Sequence, residues 1–314
     1  MNVLFITATR VGDAVLSTGL LDHILKTYPN SRITLVCGPS AAGVFEAAPR
    51  IKKLIVLDKM LLSLHWIRMW VLCVPIIWDL IIDLRNAPIS YFLLAFKQQH
   101  LGRLKSNKHR VKELAGILDL HENPPSPRMW PLPKHRAVAR NLIPDGSSVL
   151  AIAPTANWEA KTWEPYKFVD LINRIGAKNG LLPNCRVAIF GRDDERSKAI
   201  RIIESVPVDR RLDFVGGLTL LEIYACFERC DLYIGNDSGL MHLAAASGVP
   251  TLGLFGPSKE LLYAPWGEKC LSVRTVENFE NIHPEGFDHR VEQSLMCSLT
   301  VDMVFNASEN LLKK

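Results

Sequence analysis

The segment 231–258, DLYIGNDSGLMHLAAASGVPTLGLFGPS, restricts the fold more than any other stretch of the chain. Two apolar runs, 232–234 and 251–255, flank a polar loop, Gly235-Asn236-Asp237-Ser238-Gly239, and a short alanine-rich helix that ends at Gly248. Runs that are apolar at every position belong to parallel strands covered on both faces. The loop therefore leaves the carboxyl end of a strand and opens a helix, which is where open α/β sheets bind ligands. Asp237 or Ser238 can cap that helix, and its free backbone N–H groups suit an anion. A phosphate-bearing ligand satisfies this pattern. An ordinary capped βαβ turn satisfies it equally, and the motif by itself leaves both open.

The same alternation runs through the rest of the chain. Strands are predicted at 3–7, 32–38, 53–58 and 79–83, with helices at about 14–27 and 41–47. The apolar region 61–96 is interrupted by Arg68, Pro75, Asp79 and Asp83, well short of the roughly 20 clean residues a membrane-spanning helix needs. It reads as a helix, the buried strand 79–83 and a second amphipathic helix. A proline-rich connection, ENPPSPRMWPLP, occupies 122–133. Beyond it, strands are predicted at 148–154, 186–190 and 212–215, with helices near 164–178 and 195–205. Strands separated by helices of this length form parallel, doubly wound sheets. The predicted fold class is α/β, with two Rossmann-like domains, 1–140 and 141–314, facing a central cleft. The last helix is expected to pack back on the first domain.

Hydrophobic residues make up 48% of the chain and charged residues 22%, the balance of a folded, soluble protein. A net charge of +5 over 314 residues does not by itself call for nucleic acid. The seven cysteines form no CxxC pair and sit mostly among apolar neighbours, the pattern of reduced cytosolic thiols. The N-terminus is already a strand and shows no signal peptide, so a cytoplasmic location is expected.

Three loops at strand ends carry the candidate chemistry. In the first, Thr9-Arg10-Val11-Gly12-Asp13, Gly12 permits a tight approach and Asp13 falls in the first turn of the next helix. Such an acid is either a first-turn residue favoured by the helix dipole or a general base for a hydroxyl. The dinucleotide fingerprint of spaced glycines is missing. The second loop runs from Thr155 to Trp163. There Lys161 can reach a diphosphate or lie in solvent, and Thr155 and Asn157 offer hydrogen bonds. The third is the opening motif, in which His242 falls in the first turn of the helix.

Taken together, these residues resemble glycosyltransferase family 9, the heptosyltransferases of lipopolysaccharide core synthesis. The matching residues are Arg10-Val11-Gly12-Asp13, the strand 79–83, Lys161-Thr162-Trp163 with Pro165, Gly217-Leu218-Thr219 with Glu222, the stretch 235–242, and 253–258. Position 19 is glycine where many members carry proline. The resemblance implies a GT-B fold and an inverting, metal-independent sugar transfer, with a nucleotide-sugar donor such as ADP-heptose and an anionic glycolipid acceptor. It implies that Asp13 is the general base and that Lys161 offsets charge on the departing diphosphate. Asp237, Ser238, Gly239 and His242 would hold the phosphates and sugar, Glu222 would lie near the nucleoside, and Thr155 and Asn157 would line the donor site. Arg10 and Gly12 would face the acceptor. No Asp-x-Asp pair is present to hold a cation for transfer, so neither a metal nor a resident cofactor is expected; the donor is a substrate.

The basic run Lys97, Arg103, Lys105, Lys108, Arg110 and Lys112 contains no acid. It reads as a groove for acceptor phosphates, as a contact with an anionic inner leaflet, or as a solvated face. Arg103 and Lys105 are the acceptor candidates within it. Nucleic acid is not expected, because no aromatic interleaving or binding module accompanies the charge. Two other classes fit the same pocket: a nucleotide-sugar epimerase, and a binding protein without catalysis.

Overall fold

The computed structural model describes residues 1–102, 107–283, 286, 288 and 293–313. The chain divides into two compact units, 1–130 and 131–314.

The first unit contains β1 (Asn2–Ile6), α1 (Val11–Thr27), β2 (Arg32–Cys37), α2 (Ala42–Phe45), β3 (Ile51–Val56), α3 (Leu64–Cys73), β4 (Trp78–Asp83), β5 (Ala95–His100) and α4 (Arg110–Ala115). Its five strands are all parallel, in the order β3-β2-β1-β4-β5. The central strand β1 sets Val3 against Ile33 on one side and against Leu80 on the other. With neighbours on both edges and helices on both faces, Val3, Leu4, Phe5 and Ile6 are wholly buried, which is why that strand reads as an unbroken apolar run.

Helix α1 is buried around most of its circumference, from Ala14 to Leu25. One reason is a crossing segment of the proline-rich connection. The Thr18 hydroxyl accepts from the Arg128 amide at 3.0 Å, and a Cβ on Gly19 would stand 2.2 Å from the Pro125 carbonyl oxygen. Glycine at 19 is the close approach that lets this strap lie on the helix.

The second amphipathic helix expected after residue 83 is absent from the structure. In its place are a 3-10 turn, Pro88–Phe92, and the edge strand β5. The Asp83 carboxylate, fully buried, explains the turn: it accepts from the Arg85 amide at 2.8 Å, the Ala87 amide at 2.7 Å and the Ser90 hydroxyl at 2.7 Å. These bonds bend the chain just after β4 and prevent a helix from propagating.

The second unit contains α5 (Pro133–Leu142), β6 (Val149–Ala153), α6 (Pro165–Gly176), β7 (Arg186–Gly191), α7 (Arg196–Ser205), β8 (Arg211–Val215), α8 (Leu220–Phe227), β9 (Leu232–Asn236), α9 (Gly239–Ser247), β10 (Thr251–Phe255), α10 (Glu260–Tyr263), β11 (Cys270–Arg274) and α11 (Val301–Leu312). Its sheet is again parallel, in the order β11-β10-β9-β6-β7-β8. The strand order reverses between β6 and β9, placing a topological switch point at their carboxyl ends.

The division falls ten residues before the expected 140/141 boundary because α5 packs against α8 of the second unit. Helix α11 lies within the second unit. Its Val304 and Leu311 join the core formed by Trp163, Phe168, Leu171 and Leu254.

Candidate active site

The site in the second unit is built from four loops along the carboxyl edge of its sheet. Asn236, the last residue of β9 and completely buried, ties two of them together. Its amide donates to the Pro154 carbonyl at 2.7 Å, and its side-chain oxygen accepts from the Trp163 amide at 3.1 Å. The loop after β6 is thereby fixed against the end of β9. Gly235 makes this junction possible, because a Cβ there would fall 2.8 Å from the Ala153 carbonyl oxygen.

Lys161 lies in this fixed loop, buried rather than in solvent. Its ammonium donates to the Asp237 carboxylate and to the Asp237 carbonyl, both at 3.0 Å, and stands 5.0 Å from the centre of the Trp158 ring. Next along the chain, Ser238 occupies the N-cap of α9 in extended conformation, and its hydroxyl makes no cap bond. The positive end of a nine-residue helix dipole and a lysine ammonium therefore meet at one loop, a natural seat for an anion. His242 is buried on the first turn of the same helix. Burial pushes the neighbouring Tyr233 phenol far above its usual range, so it stays neutral.

Thr155 is buried and donates its hydroxyl to the Glu195 carboxylate at 2.8 Å, which also accepts from the Arg192 amide at 3.0 Å. This joins the loop after β6 to the loop after β7. Asn157 is exposed. Glu222 completes a capping box on α8: its carboxylate accepts from the Thr219 amide and hydroxyl, both at 2.8 Å, and its amide donates to the Thr219 hydroxyl at 3.3 Å.

In the first unit, Arg10 is the N-cap of α1, Gly12 follows in the first turn, and Asp13 is the acid of that turn. The loop is braced from beneath. The Gly38 amide donates to the Ala8 carbonyl at 3.2 Å, and the Thr7 and Ser17 hydroxyls share a bond of 2.8 Å. Arg103 and Lys105 lie outside the described residues.

Sequence reasoning brought Lys161 and Asp237 to one place, and the structure pairs them. It missed Asn236, Glu195 and the shelf beneath Lys161. On that shelf the Ser294 hydroxyl donates to the Thr162 carbonyl at 2.7 Å, and the Leu295 amide to the Ala160 carbonyl at 3.0 Å. The Trp163 indole donates to the Leu299 carbonyl at 2.8 Å, and the Lys167 ammonium to the Cys297 carbonyl at 2.6 Å. An amide side chain ending an otherwise apolar buried strand was the one available signal for Asn236.

All seven cysteines are free. Burial pushes the thiols of Cys37, Cys73 and Cys185 up to about 11 and that of Cys226 to about 12, which makes them core sulfurs rather than nucleophiles. Among the described residues, no helix is long and apolar enough to cross a membrane.

Two doubly wound parallel sheets in tandem give the chain the GT-B fold. The chain belongs to glycosyltransferase family 9: the family model described as glycosyltransferase family 9 (heptosyltransferase) matches residues 94–285. Lipooligosaccharide heptosyltransferase 2 of Haemophilus influenzae is 23% identical, with all of both chains covered. Lipopolysaccharide heptosyltransferase 2 of Salmonella typhimurium is 23% identical over 63% of this chain and 58% of its own length. Among solved structures, a family 9 glycosyltransferase from Veillonella parvula superposes with a TM-score of 0.79 at 20% identity, covering 99% of this chain and 97% of that one. The ADP-heptose lipopolysaccharide heptosyltransferase II of E. coli superposes at 0.75 and 18% identity, covering 100% and 99%.

Proposed function

We propose that the protein transfers a heptosyl group from ADP-heptose to a lipopolysaccharide core acceptor, with inversion at the anomeric carbon. The observation that carries this reading is the Lys161–Asp237 pair at the amino end of α9. The buried ammonium and the helix amides together suit a diphosphate, and a diphosphate is the group that gains charge as the sugar departs. E. coli heptosyltransferase WaaC, of similar fold, has been solved with ADP and with ADP-2-deoxy-2-fluoro heptose.

In the proposed step, Asp13 accepts the proton of an acceptor hydroxyl as its oxygen attacks the anomeric carbon. The bond from that carbon to the diphosphate oxygen breaks, and ADP leaves with the electron pair. Lys161 and the α9 amides receive the developing charge. Asp237 holds Lys161 before the donor arrives. Ser238, Gly239 and His242 line the phosphate and sugar side, with Thr155 and Asn157 on the adjoining loop. Glu222 stands towards the nucleoside, and Arg10 and Gly12 towards the acceptor. The step as written uses protein charge alone, with neither metal nor cofactor, and is carried out at the cytoplasmic face of the membrane.

Calorimetric titration with ADP, UDP and GDP, without added metal, is the direct test. Selective binding of ADP is the expected result, followed by release of ADP from ADP-heptose only when acceptor is present. Selective binding of UDP or GDP would discard the heptose donor, and nucleotide release without acceptor would discard transfer.

A further inference from the structure

Tyr233 carries a polar atom that its place in the fold does not call for. It is the second residue of β9, paired with Ala151 of β6 on one side and Thr251 of β10 on the other, and it is fully buried. Its ring meets Phe227 edge-on, 5.2 Å between centres, and Phe227 meets Phe190 at 4.6 Å. A phenylalanine would fill the same aromatic cluster. The phenol oxygen is buried with the ring and has no hydrogen-bond partner among the described residues. A hydroxyl buried in that state destabilises a fold, and phenylalanine would avoid the loss.

The oxygen is aimed at the anion seat. Side chains two apart on a strand share a face, so the Tyr233 ring runs beside Gly235 towards the carboxyl end of β9. A Cβ on Gly235 would lie 2.5 Å from the phenol oxygen; with glycine there, the ring reaches the loop that follows. The residue it meets is Ser238, the N-cap of α9, whose hydroxyl lies beside the phenol. The Ser238 oxygen is also buried without a partner. Two hydroxyls therefore face each other at the amino end of a helix, and neither closes a bond.

We propose that Tyr233 is a positioning residue for the donor: its hydroxyl donates to Ser238 Oγ, which leaves the single Ser238 proton directed at an oxygen of the donor's diphosphate. A serine hydroxyl has one proton and two lone pairs, and its rotor turns to suit its partners. A hydrogen bond into one lone pair holds that rotor, so the proton is already aimed when the diphosphate arrives. No proton changes hands. The inference rests on reading the α9 loop as the diphosphate seat, and it adds to that seat a residue from the strand beneath.

The test is calorimetric titration of the full-length protein with ADP for Tyr233→Phe, Ser238→Ala and the double variant, with thermal unfolding of each variant free of nucleotide. Tyr233→Phe removes one oxygen and keeps the ring. It should weaken ADP binding by about two- to tenfold, with the melting temperature unchanged or raised. Ser238→Ala should lose at least about tenfold, because its bond goes to a charged group. The double variant should bind no more weakly than Ser238→Ala alone, since the two hydroxyls act as one unit. Undiminished ADP affinity in Tyr233→Phe would overturn the proposal and leave the diphosphate seat standing, whatever its melting temperature. So would losses that add in the double variant. Failure of the unaltered protein to bind ADP would overturn the seat and the proposal together.

Discussion

Lys161 and Asp237 are nine-tenths buried, and a pair taken so far from water loses hydration that its own attraction barely returns. Such a pair is better suited to holding a charge in place than to stabilising a fold. Lys161→Met keeps the stem beside Trp158 but removes the charge. The expected effect is a fall in kcat larger than the rise in donor Kd, because the partner charge grows in the transition state; calorimetry paired with steady-state kinetics reads the two separately. Asp13→Ala is expected to lower kcat by about 10²–10⁴ with donor Kd unchanged, and weakened donor binding would contradict its assignment as the base. Asn236 is the structural counterpart. Asn236→Ala leaves the Pro154 carbonyl and the Trp163 amide buried without their partner, and urea unfolding should show a loss of about 2–4 kcal/mol.

At the scale of elements, Gly19→Ala tests the strap over α1. A methyl group 2.2 Å from the Pro125 carbonyl oxygen cannot be accommodated without moving the strap or the helix, so a loss of about 1–3 kcal/mol is expected in thermal or denaturant unfolding. The elements readable in advance were those buried on both faces. β1, β6, β9 and β10 are apolar at nearly every position because parallel central strands meet helices above and below. β5 was not readable. AFKQQH has the composition of a half-solvated segment, and only pairing with β4 along its length makes it a strand. Thr219-x-x-Glu222 carries the local signature of a capping box, yet sequence reasoning placed Glu222 only near the nucleoside, and the structure shows its carboxylate on the Thr219 amide and hydroxyl. The Thr155–Glu195 bond spans forty residues and left no trace in the sequence.

For the whole molecule, the two units have separate sheets, and each has its own buried core. Residues 131–314 expressed alone should therefore melt as a single cooperative transition and bind ADP with the affinity of the full chain, which calorimetry and circular dichroism can check. Loss of cooperativity would mean that the second core needs the first. Within that unit, the segment 294–299 is bonded to the backbone and side chains of 160–167 at four points, from Ala160 to Lys167. The stretch that presents the lysine thus rests on chain lying more than 130 residues downstream. An opening that lifts 294–299 removes these bonds and leaves the lysine-bearing loop held to the end of β9 by Asn236 and Asp237. If the two stretches open as one unit, their amide hydrogens should report one common opening free energy in deuterium exchange.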